Sequence, residues 1–186
     1  MSIRRGQIFL EETMPRNIAT SMKDAKFVNF MHRTLRPNET GIHTESHPFV
    51  SYCGKEINYV SPLDRYSPFC FKDLLVDVGG SLSPVVNLSE SRASSGSSEL
   101  HLLFGADMAH PFGVRDLYYH PTSGRVYHKI FKHRHLKGEL GLLHPFLAQK
   151  LAMYIHWNAN NDNYVIEWAG EEHTLLNPED AVHAPI

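Results

Sequence analysis

Apolar positions in the first third of the chain recur at the spacing of one helix face. They are Phe27, Val28, Met31 and Leu35. Ser21 is expected to cap this helix, with Asp24 three residues on. Pro37 ends it, because a proline ring disfavours helical geometry at the preceding residue. The pattern therefore predicts one amphipathic helix here, and a second is predicted at about 142–157.

Short runs rich in β-branched and aromatic residues predict strands on both sides of these helices. Before position 100 the predicted strands are 6–10, 48–53, 56–60 and 69–76. After it they are 100–104, 114–119, 125–131, 164–168 and 172–176. Gly54-Lys55 and Gly170-Glu171 are each expected to make a tight hairpin turn.

The two halves resemble each other in order and spacing. Residues 6–9 match residues 124–127 in type, and residues 51–56 parallel residues 167–172. Gly54 lies 48 residues after Gly6, and Gly170 lies 46 residues after Gly124. The predicted fold class is therefore α+β, with two repeated hairpin–helix–hairpin units. Each unit has a small antiparallel sheet and one helix, and the two share a core.

A serine- and glycine-rich tract divides the halves. Residues 79–99 hold little apolar surface to offset the entropy of ordering them, which predicts a flexible insertion. The first unit is then 1–78 and the second 100–186, together forming one compact domain.

Composition, net charge and cysteine count limit the possible classes of protein and partner. Hydrophobic residues make up 42% of the 186, which is typical of a globular protein. The net charge of −2 implies no overall attraction to nucleic acid, so any such contact requires a local patch. Cys53 and Cys70 are too few for a disulfide framework and are predicted to be free thiols, with a single bridge as the alternative.

The most basic stretch is 125–137, which carries five Lys or Arg, three His and two aromatic residues. Such a loop can hold a phosphate backbone and stack a base. The predicted polyanion contacts are Lys129, Lys132, Arg134 and Lys137. The alternative is a solvated hairpin whose charges only keep it in solution.

Signatures of catalysis are absent from the sequence: no phosphate-binding glycine loop, nucleophile elbow or zinc-protease helix is found. His133 and His135 would share one side of a strand, as a metal site requires, and His128 and His144 lie nearby. Interleaved Lys and Arg would repel a cation, so neither a metal nor a cofactor is predicted. Cys53 beside Gly54 is a candidate nucleophile, and a structural thiol is the preferred interpretation.

Three segments carry a resemblance to a known family. They are Leu35-Arg36-Pro37-Asn38, the motif Pro48-Phe49-Val50-Ser51-x-Cys53-Gly54-x-Glu56-x-Asn58, and Asp64-Arg65. The chain resembles uncharacterised protein family 0598, a eukaryotic group of mitochondrial type. The likeness covers about 6–75 and resumes at 124–128 and around the second helix. More distantly, the chain is similar to a bacterial family of unknown function built from repeated motifs.

The resemblance implies a mitochondrial setting, with the cytoplasm as the alternative, but no reaction, cofactor or catalytic residue. Residues 1–6 lack the apolar centre of a secretory signal, so either the protein is not imported by an N-terminal signal or that signal has been removed. Because the chain starts almost at the first strand of the likeness, we expect a targeting segment to be missing. The polar residues of the shared motifs are the predicted binding residues: Arg36, Asn38, Glu56, Asn58, Arg65, Arg125, Tyr127 and His128. Alternatively, these side chains tie turns together, with Arg36 or Arg65 pairing with Glu56.

Three functions follow as hypotheses. The leading one is a non-catalytic accessory protein that binds a protein or ribonucleoprotein assembly. The second is a small-ligand binder or enzyme with a pocket between the repeats, where Arg36, Glu56, Arg125 and His128 would converge. The third, a metal-dependent hydrolase, requires at least three of the four clustered histidines to meet a carboxylate.

Overall fold

Short strands make up most of the regular structure in the computed structural model, which describes residues 1–4, 7–17, 19–62, 64, 67–85, 88 and 99–182. Within these residues the fold is a mostly-β α+β arrangement of four small sheets and three short helices. The α+β class predicted from the sequence is therefore confirmed. None of these helices is long and apolar enough to cross a membrane.

The helices are α1 (Ala25–Thr34), α2 (Pro145–Ala152) and α3 (Pro178–Val182), and Val114–Asp116 form a 3-10 turn. The first eight strands are β1 (Ser2–Arg4), β2 (Gln7–Phe9), β3 (Leu35–Pro37), β4 (Phe49–Cys53), β5 (Glu56–Pro62), β6 (Cys70–Phe71), β7 (Asp73–Val78) and β8 (Ser81–Pro84). The other eight are β9 (Leu100–Phe104), β10 (Met108–Pro111), β11 (Leu117–His120), β12 (Arg125–Lys129), β13 (Leu140–Leu143), β14 (Ile155–Asn158), β15 (Asn163–Trp168) and β16 (Glu171–Thr174).

Two of the sheets combine strands from both sides of the predicted 79–99 insertion. The strand orders are β2-β1-β5-β4-β3, β10-β9-β7-β8, β11-β12-β13-β6 and β14-β15-β16. β7 pairs with β9, and β6 runs parallel to β13, with Cys70 opposite Leu142. Within the insertion, Ser81–Pro84 form β8, while residues 86, 87 and 89–98 lie outside the described part. The two-unit division stays a prediction.

Helix α1 lies where the periodicity predicts it and buries Val28 and Met31. It begins at Ala25 rather than after Ser21, because the Asp24 side chain accepts the backbone N–H of Phe27 at 2.6 Å. The expected cap at Ser21 is therefore wrong by three residues. The helix ends at Thr34, and Leu35 turns directly into β3.

Helix α2 is half as long as the predicted 142–157 helix. Residues 140–143 pair with β12 and β6 instead, and residues 155–158 pair with β15. An apolar run fits a helix or a buried strand equally well, so the available partner strands decide between them. Pro145 occupies the first helical position, where its missing N–H costs nothing.

Each longer helix is followed at once by a three-stranded antiparallel meander. β3, β4 and β5 come after α1, and β14, β15 and β16 come after α2. Both predicted hairpins are present. The first turns at Gly54-Lys55 as predicted, and the second turns at Ala169-Gly170, one residue earlier than the predicted Gly170-Glu171. Both glycines have positive φ, of 61° and 81°, which side-chain-bearing residues adopt only with strain.

Three histidines lie in the hydrophobic core, at most 1% exposed: His32, His110 and His128. Burial lowers the pKa of each to about 4, because the charged imidazolium is poorly solvated there. The His32 ring meets Phe69 and Phe104, and the His128 ring meets Phe71 and Phe112. At neutral pH these rings act as uncharged aromatic packing.

Candidate functional site

A cationic pocket of about 500 Å³ lies where α1 meets the loop after β12. Its lining comes from three chain segments: Arg33; Phe104, Asp107, Met108 and Ala109; and Lys132, His133 and Arg134. Arg33 is in the last turn of α1, and the middle group belongs to the β9–β10 hairpin. The fold thus brings Arg33 together with Lys132 and Arg134, which lie about 100 positions later in the chain.

The loop after β12 is held in place by one histidine. The His133 Nε2–H donates to the His32 carbonyl at 2.8 Å. Its Nδ1 accepts backbone N–H groups from His135 and Leu136, at 3.2 and 3.1 Å. Both ring nitrogens are therefore used to fix the loop, and Leu136 anchors it in the core. Lys132 and Arg134 lie on either side of His133 in the chain and are exposed.

These cations have no carboxylate partner among the residues that the structure describes. Within the described residues, no ion pair involves Arg33, Lys132 or Arg134. Asp107 also lines the pocket, but its Oδ1 accepts the Asn29 side-chain amide at 2.5 Å. One carboxylate against three cations leaves a net positive pocket. Uncompensated charge around a concavity favours an anionic ligand.

The positive surface continues past the pocket. The pKa of His135 is lowered by desolvation and then by the positive charges of Arg36 and Arg134. Arg36 itself lies over the Tyr52 ring, 4.8 Å from its centroid. Along α1, Lys26, Phe30 and Arg33 are exposed at helical spacing. We call Lys26, Arg33, Arg36, Lys132 and Arg134 the cationic face.

A second cluster lies at the start of β12 and centres on the buried carboxylate of Asp64. Asp64 is 4% exposed, and its Oδ2 accepts both an Arg125 Nη1–H and the Tyr127 hydroxyl, the latter at 2.9 Å. Burial, followed by the hydrogen bond to Asp64, raises the pKa of Tyr127. Arg125 and Tyr127 share one side of β12, and His128 faces the core on the other.

Two of the predicted binding residues donate side-chain hydrogen bonds to backbone carbonyls. Asn38 donates to the carbonyls of Ile42 and His47, at 2.9 and 2.8 Å. Asn58 donates to the carbonyl of Ser51 at 3.3 Å. Glu56 is exposed at the β4–β5 turn opposite Cys53. Arg65 lies outside the described residues.

The predicted convergence of polar residues between the repeats has no support in the contacts. Within the described part, no hydrogen bond or ion pair joins any two of Arg36, Glu56, Arg125 and His128. Both ring nitrogens of His128 are hydrogen-bonded. Its Nε2 accepts the Gly113 N–H, and its Nδ1–H donates to the Lys129 carbonyl.

Three of the four clustered histidines have separate structural roles. His128 is buried, His133 fixes its loop, and His144 accepts the Phe146 N–H at the start of α2. The described residues contain no group of three or more His, Cys, Asp or Glu that could hold a metal ion. Both cysteines are free, and burial raises the pKa of Cys70 to about 12.

Comparison with known proteins identifies the family. A family model described as a domain of unknown function, DUF4505, matches residues 3–179. The chain belongs to the DUF4505 family. One solved structure, a DUF1285 family protein from Silicibacter pomeroyi, is 14% identical, with 90% of the DUF4505 chain and 78% of the other covered and a TM-score of 0.46.

Sequence reasoning missed two residues of these clusters. Arg33 lies on the solvent face of α1, three positions after Phe30, and only the fold brings it to the 132–134 loop. Asp64 belongs to the Asp64-Arg65 segment of the family likeness, and its partners Arg125 and Tyr127 are 61 and 63 positions away. A lone Asp before an Arg gave no sign of either contact.

Proposed function

We propose that this DUF4505 protein is a non-catalytic accessory protein that holds the RNA of a ribonucleoprotein assembly on its cationic face. The observation that carries the proposal is the pocket of about 500 Å³ with three cations and no ion pair to them among the described residues. Phosphate-backbone contacts by Lys and Arg supply most of the affinity of RNA-binding surfaces that do not select sequence.

The geometry of the face suits a single strand better than a duplex. The pocket is concave and short, and the exposed Phe30 on α1 lies one turn before Arg33. An aromatic ring beside cations can stack an unpaired base, which a duplex does not offer. The net charge of −2 means that attraction comes from this face and not from the molecule as a whole.

The proposed setting is the mitochondrion, on the resemblance to family 0598 alone.

We further propose that the two helix–meander units descend from one duplicated unit. The support is their common order, in which a helix runs directly into three antiparallel strands, and the matching turn glycines 54 and 170.

The test measures binding of a fluorescent ten-nucleotide oligouridylate by anisotropy at about 50 mM salt, the low-salt regime in which phosphate contacts are strongest. The triple variant R33Q/K132Q/R134Q is expected to bind at least about tenfold more weakly than the unchanged protein. For three phosphate contacts, log K should fall with log salt at a slope of about −2.

The matched control is K55Q/R115Q/K150Q, which removes the same charge from sites that do not line the pocket. It should retain binding within about twofold, because surface charges beyond a Debye length are screened. Equal loss in both triples would reject the site. Absence of binding by the unchanged protein would reject the function.

A further inference from the structure

A second cavity lies at the opposite end of β12, where the sheet splits. The β12–β13 pairing ends at Tyr127 opposite Leu142. Beyond this pair β12 continues back to Arg125, whereas β13 ends at Leu143 and the chain enters α2 at Pro145. The gap between the strands and the helix is a cleft of about 490 Å³.

Most of the cleft wall is apolar. The side chains that share this character are Cys70, Val126, Leu142, Leu143, Pro145, Ala148 and Ala152. Ala148 and Ala152 stand one helical turn apart on α2, so at these two positions the helix brings only methyl groups to the cleft. Larger side chains at these two positions would fill the gap. The volume lies in the range of ordinary small-molecule sites.

Polar side chains in the lining are few. Ser123, Arg125 and Gln149 complete the lining with Gly124. The Arg125 side chain is 47% exposed, and its Nη1 is held by the buried carboxylate of Asp64. A guanidinium has five N–H donors, so the bond to Asp64 orients the group and leaves donors for a second acceptor.

We propose that this cleft binds a small amphipathic carboxylate, with its hydrocarbon chain between α2 and the ends of β12 and β13 and its carboxylate on Arg125. The apolar wall supplies affinity by removing hydrocarbon from water, and the oriented fork selects a planar two-oxygen anion. Because Asp64 offsets the charge of Arg125, the attraction is short-range hydrogen bonding with little dependence on salt. This ligand site is independent of the proposed RNA face.

The probe is octanoate, titrated into the full chain and followed by calorimetry and by backbone amide NMR shifts. Saturable one-to-one binding with a Kd below about 1 mM is expected, with shifts concentrated at Val126, Leu143 and Ala148. The neutral analogue 1-octanol should bind at least about tenfold more weakly, since it cannot accept the bidentate contact.

Two variants separate the polar end from the apolar chain. Q149E places a negative charge in the lining that Gln149 shares with Arg125, and it should weaken octanoate about fivefold while leaving 1-octanol unchanged. R115Q, the same charge change on an exposed residue outside the cleft, should leave octanoate unchanged. A148W should fill the cleft and weaken both probes by more than about tenfold.

Folding is checked for each variant by circular dichroism, and A152L replaces A148W if the tryptophan prevents folding. The site is rejected if octanoate fails to bind, or if A148W or A152L binds it as well as the unchanged chain does. The carboxylate assignment is overturned if octanoate and 1-octanol bind equally and Q149E affects neither. A loss of RNA binding in the R33Q/K132Q/R134Q variant has no bearing on either outcome.

Discussion

The basic side chains at the two ends of β12 differ in whether a carboxylate compensates their charge. At its first residue, Arg125 is bound to a buried carboxylate that also accepts the Tyr127 hydroxyl. Past its last residue, Lys132 and Arg134 surround the pocket with Arg33 and have no ion pair within the described chain. A compensated cation orients groups at short range, whereas uncompensated cations create a field that reaches a polyanion.

Acid should have the largest effect on stability, because protonation of buried histidines destabilises the core that both ends of β12 share. The pKa of His32, His110 and His128 is about 4 in the folded protein, against 6.5 when unfolded. Between these values the unfolded chain binds more protons, so stability falls as pH falls from 6.5 to 4. The loss is on the order of 3 kcal/mol per histidine. Urea midpoints measured from pH 7 down to pH 4.5 should decrease steeply, with an unchanged m-value.

The matched variant is H110F, which removes one titrating ring whose Nε2 has no partner among the described residues. Its midpoint should fall less between pH 6.5 and 5, a window above the ordinary range of carboxylates. A midpoint independent of pH in this window would show that the three rings are not buried in the neutral form.

Removing the charge of Asp64 tests the compensated end. D64N leaves Arg125 and the Tyr127 hydroxyl with a weaker acceptor and should lower the free energy of unfolding by about 2 kcal/mol. This is below the usual cost of breaking a buried pair, since Arg125 is half exposed. Chemical denaturation at pH 7 measures it.

The exposed pair between Lys150 and Asp73, at 3.3 Å, provides the control. K150M should change stability by less than about 0.5 kcal/mol, because solvent screens that pair. If D64N costs no more than K150M, burial gives Asp64 no special role at this end of β12.

The sequence predicted local structure well and contacts between distant segments poorly. Val28 and Met31 placed α1, and Gly54 and Gly170 placed two hairpins, because periodicity and turn chemistry act over a few residues. Residues 142–143 and 155–157 lie in strands although the sequence predicts a helix there, because an apolar run fits either structure. One partner of residues 142 and 143, β6, lies about 70 positions earlier in the chain.

The same limit applies to the two sites. Lys132 and Arg134 were predicted as anion contacts from local charge density, and they do line a pocket. Arg33 was not, since about 100 residues separate it from that loop. Asp64 and Arg125 both stood in recognised motifs, and only the fold shows that they meet.

Releasing the loop tests whether position matters at the uncompensated end as well as charge. H133L removes the donor to the His32 carbonyl and the acceptor of two loop N–H groups without changing any Lys or Arg. It should cost about 1 kcal/mol of stability and weaken oligouridylate about fivefold. H135L is the control, because the His135 side chain takes part in none of these three bonds. Unchanged RNA affinity in a folded H133L would mean that the cations act without fixed positions.

The smallest effect should mark the edge of the cationic face. Lys137 belongs to the same basic stretch as Lys132, but it does not line the pocket. K137Q should change oligouridylate affinity by less than about twofold, whereas K132Q should weaken it about fivefold, since one lost phosphate contact exceeds a screened charge. Anisotropy titrations at about 50 mM salt compare them under the strongest electrostatics. Equal losses would mean that the RNA follows the sequence segment 125–137, as local charge density predicts, and not the pocket that the fold builds from α1 and the loop.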